Sequence, residues 1–187
     1  MKKIIKCILV LAILVCTCGC AQKPSGAVKD YLNGLKNNIS QVFDEEETLE
    51  MGESDKELYD SLTNALKQFE YEIVNEQVDG EKATVRVKIR AYDMGKVFMN
   101  MFTDFFQQAL ALSFSGASEE EIQALMYKLW KEKLDEEMKA GKNYTEEVDV
   151  KLVKKDKKWT VDENDNAALV NAITGGLGTV AEALAEE

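Results

Sequence analysis

The chain has no histidine anywhere in its 187 residues. That excludes Ser-His-Asp and Cys-His catalysis and every histidine-ligated metal centre. Its four cysteines, Cys7, Cys16, Cys18 and Cys20, all fall within the first 20 residues. The remainder therefore has neither a disulfide nor a thiol ligand, and zinc is left without its usual donors. Proline occurs once, as Pro24, and arginine only as Arg86 and Arg90. Positive charge is scarce too: 23 Lys and Arg stand against 34 Asp and Glu, for a net charge of −11. A chain of that sign repels nucleic acid and anionic lipid headgroups alike.

What the chain does have is a marked beginning. Lys2, Lys3 and Lys6 form a positive segment, and Ile8 to Val15 form a short apolar core. That core is too short to cross a membrane, which takes roughly 20 apolar residues. Cys16-Thr17-Cys18-Gly19-Cys20 follows it. This pattern resembles the signal peptide of a bacterial lipoprotein, in which a cysteine after a small residue is acylated and becomes the mature N-terminus. The resemblance implies a leader over 1–19, lipidation (palmitate or a similar acyl chain) at Cys20, and a place on the extracytoplasmic face of the cell membrane. The alternatives are a simple cleaved signal peptide and a retained anchor.

Removing 19 of 187 residues leaves 168, enough for one domain with a proper core. Losing the three leader lysines takes the charge from −11 to −14. So acidic a domain relies on its acyl chains for anchoring, at about 0.8 kcal/mol per buried CH₂. Residues 20–25 then form a lipidated tether, whose five residues Ala21 to Ser25 reach about 17 Å at most.

The hydrophobic period divides the rest into elements. Val28, Tyr31, Leu32, Leu35, Ile39, Val42 and Phe43 are spaced for a helix over 26–43. Ser54-x-x-Glu57 reads as a capping box opening a second helix with Leu58, Leu62, Ala65 and Leu66 on one face. At Phe69 the period changes to two. Tyr71 and Ile73 alternate with Glu70 and Glu72, and Val85, Val87 and Ile89 alternate with Arg86, Lys88 and Arg90. Two strands of a hairpin follow, each with one wet face. A three-residue loop, Val78-Asp79-Gly80, sets Tyr71 opposite Val87 and Ile73 opposite Val85, with Glu72 facing Arg86 and Glu70 facing Lys88. Arg86, Lys88 and Arg90 are then either an anion-binding strip or a cross-strand-paired face, and the pairing favours the latter.

Met94 to Phe114 is apolar nearly all round, with four Phe and three Met between Met94 and Phe106. A helix of that kind is buried or lines something. Phe98, Met101, Phe102, Phe105 and Phe106 are the candidate ligand pocket, and core filling is the competing reading. Ser118-x-x-Glu121 opens a fourth helix with the stripe Ile122, Leu125, Met126, Leu129, Trp130, Leu134 and Met138, closed by Gly141. Its charged residues Lys131 to Glu137 read as a solvated face. Alternation returns from Tyr144, with a polar hairpin loop over Lys154 to Lys157 and a returning strand Lys158 to Val161. A last helix from about Asn166 is interrupted by Gly175, Gly176 and Gly178.

Pro24-Ser25-Gly26-Ala27-Val28-Lys29-Asp30-Tyr31-Leu32-Asn33-Gly34-Leu35-Lys36 resembles the first helix of small lipoproteins with a nuclear-transport-factor-2-like (cystatin-like) domain. Lys157-Lys158-Trp159-Thr160-Val161-Asp162 resembles their closing strand. These are envelope lipoproteins of Gram-positive bacteria, largely of unknown function. The resemblance implies an α+β fold over 26–187, a curved antiparallel sheet packed on helices, often with a cavity between them. Residues 94–141 depart from it as a helical insertion between the two hairpins.

Other stretches carry weaker signals. Asp162-x-Asn164-x-Asn166 begins like a calcium loop but has Ala167 where glycine is needed and Ile173 where the bidentate acid belongs. Thr174-Gly175-Gly176-Leu177-Gly178 lacks the lysine and preceding strand of a phosphate loop. The acidic run Asp44 to Glu50 reads as a solvated loop. Asp104, set among Phe102, Phe105 and Phe106, is the one candidate for a pocket carboxylate acting as general base. The sequence thus points to a non-enzymatic lipoprotein, without metal or cofactor, that binds a small apolar ligand or an envelope protein. The alternatives are a lyase or isomerase using a pocket carboxylate, and a structural or assembly lipoprotein acting as an oligomer.

Overall fold

A computed structural model describes residues 22–39, 53–162 and 165–185. The leader, Cys20, the acidic run and Val42 and Phe43 lie outside the described residues. The elements run α1 (Pro24–Asn38), α2 (Glu53–Lys67), β1 (Glu70–Asp79), β2 (Lys82–Ala91), α3 (Met94–Ser115), α4 (Glu119–Ala140), β3 (Tyr144–Lys155), β4 (Lys158–Val161), α5 (Ala167–Ile173) and α6 (Leu177–Ala185). The order matches the one read from the periodicity. Ser54 lies inside the described α2 rather than ahead of it, so its expected place as the N-cap is corrected.

The four strands form an open antiparallel sheet in sequence order. β3 pairs with the whole of β2, from Lys82 opposite Val153 to Ala91 opposite Tyr144. The chain therefore leaves the sheet after Ala91, builds α3 and α4, and re-enters beside the point of departure. These two helices form an α-hairpin rooted at one end of the sheet.

One face of the sheet is apolar because alternate residues of each strand are apolar. Val85, Val87, Ile89, Val148, Val150, Leu152 and Val161 pack there against Val28 and Leu32 of α1 and Leu169 and Ala172 of α5. The other face is wet and cross-paired. The Arg86 guanidinium grips Asp149 through two bonds of 2.8 and 3.1 Å, and Arg90 reaches Glu70 at 3.4 Å. Arg86 holds the Asp149 carboxyl below its ordinary range. The strip is a paired sheet face.

The β1–β2 register differs from expectation. The turn is the two-residue Gly80-Glu81, with Asp79 opposite Lys82 and Gly80 left-handed at φ +60°. Such a turn alone would bring apolar side chains against charged ones. A bulge at Val74 restores the parity, so Ile73 meets Val87, Tyr71 meets Ile89, Glu72 meets Lys88 and Glu70 meets Arg90. The parity agrees with the expectation, but each expected pair is moved two residues along β2, with Tyr71 opposite Ile89 rather than Val87 and Ile73 opposite Val87 rather than Val85. The second hairpin turns tightly through Asp156 and Lys157, both with positive φ.

Asn166, which the calcium-like spacing had picked out, is a buried pin. Its amide accepts from the Lys151 N–H at 3.0 Å and donates to the Lys151 carbonyl at 3.1 Å, extending the ladder beside β3. It also donates to the Asp162 carbonyl.

A second cluster holds the helices together. Ile39, Ala65, Leu66, Tyr92, Met94, Val97 and Leu134 join the end of α1, α2 and the roots of α3 and α4. The capping box of α4 forms as read, with Ser118 accepting from the Glu121 N–H and Glu121 answering to the Ser118 N–H. The solvated face expected over Lys131 to Glu137 is corrected at Glu137. This side chain is buried, accepting from the Asp93 N–H and the Lys96 ammonium, each at 3.2 Å, and so ties α4 to the start of α3. A carboxylate with two such donors at a helix start tolerates burial.

Candidate binding surface

α3 carries apolar residues on every side, but α4, α2 and α6 cover only part of it. Met94, Val97 and Met101 turn inward and are buried. Phe98 and Phe105 are half-buried. Phe98 stacks on Phe102 with ring centroids 6.3 Å apart and meets the Trp130 ring edge-on at 6.3 Å. Phe102 is 44% exposed, Phe106 59% and Phe114 90%, with Met99, Leu110 and the α4 residue Met126 also open. The five residues named from the sequence thus occupy three environments: Met101 in the core, Phe98 and Phe105 on its edge, Phe102 and Phe106 in solvent.

The open residues form a line. Met99, Phe102, Phe106, Leu110 and Phe114 follow one another at steps of three or four, which keeps them on one face of α3. Exposed apolar residues are ordinary when scattered and informative when contiguous. A cleft of about 150 Å³ lies elsewhere, between α2 and α4, lined by Glu57, Leu58, Ser61, Tyr127, Lys128 and Lys131. It is smaller than the 300–1,000 Å³ typical of small-molecule sites, and none of the five residues lines it.

Asp104 lies between these phenylalanines but turns to α4, where its carboxylate receives the Lys133 ammonium at 2.8 Å. The hydrogen bond pushes the Lys133 ammonium up from its ordinary value. The pair ties the two arms of the hairpin together, so Asp104 is not an unpaired carboxylate in an apolar pocket. No group of three or more Cys, Asp or Glu suited to a metal occurs among the described residues. The glycine-rich Thr174 to Gly178 stretch is the joint between α5 and α6, packed against the start of α3, where the Gly95 N–H donates to the Gly175 carbonyl at 3.0 Å.

A polar cluster that the sequence did not announce sits at this joint. The Tyr144 hydroxyl donates to Glu146, and Asn171 donates to Tyr144 at 3.5 Å while accepting from the Thr179 N–H at 2.9 Å. Burial, and then the Glu146 carboxylate, push the Tyr144 phenol above its ordinary value. A raised phenol favours the neutral form in the fold. Its stabilisation is complete below the unfolded value of about 10 and is lost as pH rises through the folded value. An alkaline titration followed at 295 nm is expected to show a late-ionising phenol that Tyr144→Phe removes. An unchanged titration curve in the variant would refute the assignment.

These parts define an α+β protein: an open four-stranded antiparallel sheet backed by helices, with an α-hairpin bearing an exposed apolar line. The sequence matches no known protein family and no curated protein. Among solved structures it is similar to a "putative lipoprotein" (YcdA) from Bacillus subtilis, at 19% identity and a TM-score of 0.45. The match covers 78% of this chain and 45% of that one, so the chain spans less than half the length of that protein. No described helix is long and apolar enough to cross a membrane.

Proposed function

We propose that this chain is an extracytoplasmic lipoprotein, held on the cell membrane by acyl chains on Cys20, which acts by binding and performs no catalysis. Its binding face is the exposed apolar line of α3. The observation that carries the reading is that line, from Met99 to Phe114, left open in a chain of net charge −11. The pattern Lys2 to Cys20 supports the anchor. The sheet-on-helix layout supports kinship with cystatin-like domains, with the α3–α4 hairpin as the addition. The pairing of Asp104 with Lys133 counts against the pocket carboxylate that a lyase or isomerase would need. An open line suits a protein partner better than a small apolar ligand, which needs walls on most sides.

Phe106→Glu tests the face. Phe106 is largely exposed, so circular dichroism and melting are expected to stay as in the wild type while binding of an apolar fluorescent dye falls several-fold. A correctly folded variant that takes up the dye as before would contradict the proposal.

A further inference from the structure

The occupant of the α3 line can be specified further, on the reading that this line is the binding face. The geometry points to a second copy of the same chain, packed α3 against α3 in antiparallel fashion about a two-fold axis beside Phe106.

Three observations support it. The first is area. At about 200 Å² for each fully exposed large side chain, the open fractions of Met99, Phe102, Phe106, Leu110 and Phe114 amount to roughly 560 Å² per copy. That is at the top of the range of about 300–600 Å² for the largest patch of an ordinary monomer. Two such faces together reach about 1,100 Å², above the roughly 1,000 Å² that a biological interface clears.

The second is charge. Two copies of an acidic chain repel one another over most of their surfaces. From Val97 to Ser118 the sequence carries a single charged side chain, Asp104, and Lys133 of the same copy neutralises it. The α3 line is therefore an exposed apolar stretch along which two copies can approach without bringing like charges together.

The third is symmetry. A two-fold interface must be complementary to itself. The line is apolar from end to end, and Phe106 stands near its middle. With 1.5 Å of rise per residue, Met99 to Phe114 covers about 22 Å. Antiparallel pairing about Phe106 sets Phe102 of one copy near Leu110 of the other, and Met99 of one near Phe114 of the other. Phe106 meets its own counterpart on the axis. Steps of three and four residues are those by which paired helices interlock.

The test uses the full chain in its producing cell, with single cysteines introduced and a short thiol crosslinker added. Gln107 is exposed and lies beside the axis. Ser115 is exposed near the end of the line, and its counterpart would be about 25 Å away. Gln107→Cys is expected to yield a species of doubled mass, and Ser115→Cys and the unsubstituted chain are not. Adding Phe106→Glu to Gln107→Cys is expected to abolish that species. Crosslinking at Ser115 to the same extent would indicate parallel or unspecific contact and overturn the proposal. So would absence of the Gln107 product from folded protein, or its persistence with Phe106→Glu. The dye and melting experiments are run at protein dilutions at which paired copies separate, so they report the α3 face by itself. Dye binding lost with Phe106→Glu, together with no Gln107 crosslink, would sink the pairing and leave the binding face standing.

Discussion

Gly175→Ala is expected to cost the fold more than about 4 kcal/mol, a loss that few single substitutions reach. A Cβ at Gly175 would lie 1.8 Å from the Tyr92 carbonyl oxygen and 2.9 Å from the Met94 nitrogen. Those are backbone atoms at the junction of β2 and α3, and they cannot swing aside as a flexible side chain can. The backbone also sits at φ +57°, which adds about 1–2 kcal/mol for any residue with a Cβ. Gly116→Ala is the control. Its φ is +79°, with nothing within 4 Å of the added carbon, so only that conformational cost of about 1–2 kcal/mol applies. Urea denaturation of the two variants checks this. Equal midpoints would mean that the α5–α6 joint does not press on the root of α3.

Leu134→Ala should cost about 2–5 kcal/mol, the range for emptying a fully packed core site. Leu134 is completely buried in the helical cluster that joins α4 to α2 and to the root of α3. That cluster is separate from the core under the sheet, so the loss falls on the attachment of the α-hairpin. Met126→Ala, further along the same helix and partly exposed, should stay within about 0.5 kcal/mol, as surface changes do. Hydrogen exchange would localise the effect. Protection in α3 and α4 should fall further than in β2 and β3, and uniform loss would show that the two cores melt as one.

The elements were legible because each depends on its own residues. The change of period at Phe69, the capping box at Ser118 and the glycines at 175 and 176 act locally, and each element or break they foretold is present. The β1–β2 register was half legible. The face of each strand followed from alternation, but a bulge at Val74 leaves no mark that distinguishes it from an extra residue in the turn. Glu137 was misread because a charge run on a helix looks solvated until the partner helix is known, and Asp93 and Lys96 lie 44 and 41 residues away. The ion pair of Asp104 was hidden for the same reason, since its partner Lys133 lies on the other arm of the hairpin. The apolar excess of α3 was plain in the sequence. Which side of it would face water was not, because that depends on where α4 and α6 pack. For the Tyr144–Asn171 cluster the sequence offered no signal, as strand and helix meet there only in three dimensions.

The most direct measurement is the intact mass of the protein purified from the membrane of its producing cell. A chain beginning at Cys20 and carrying the added mass of acyl groups is the predicted result, with Cys20→Ser losing both the acyl mass and the membrane association. A chain that still begins at Met1, or a Cys20 of unmodified mass, would contradict the lipid-anchored binding protein described above.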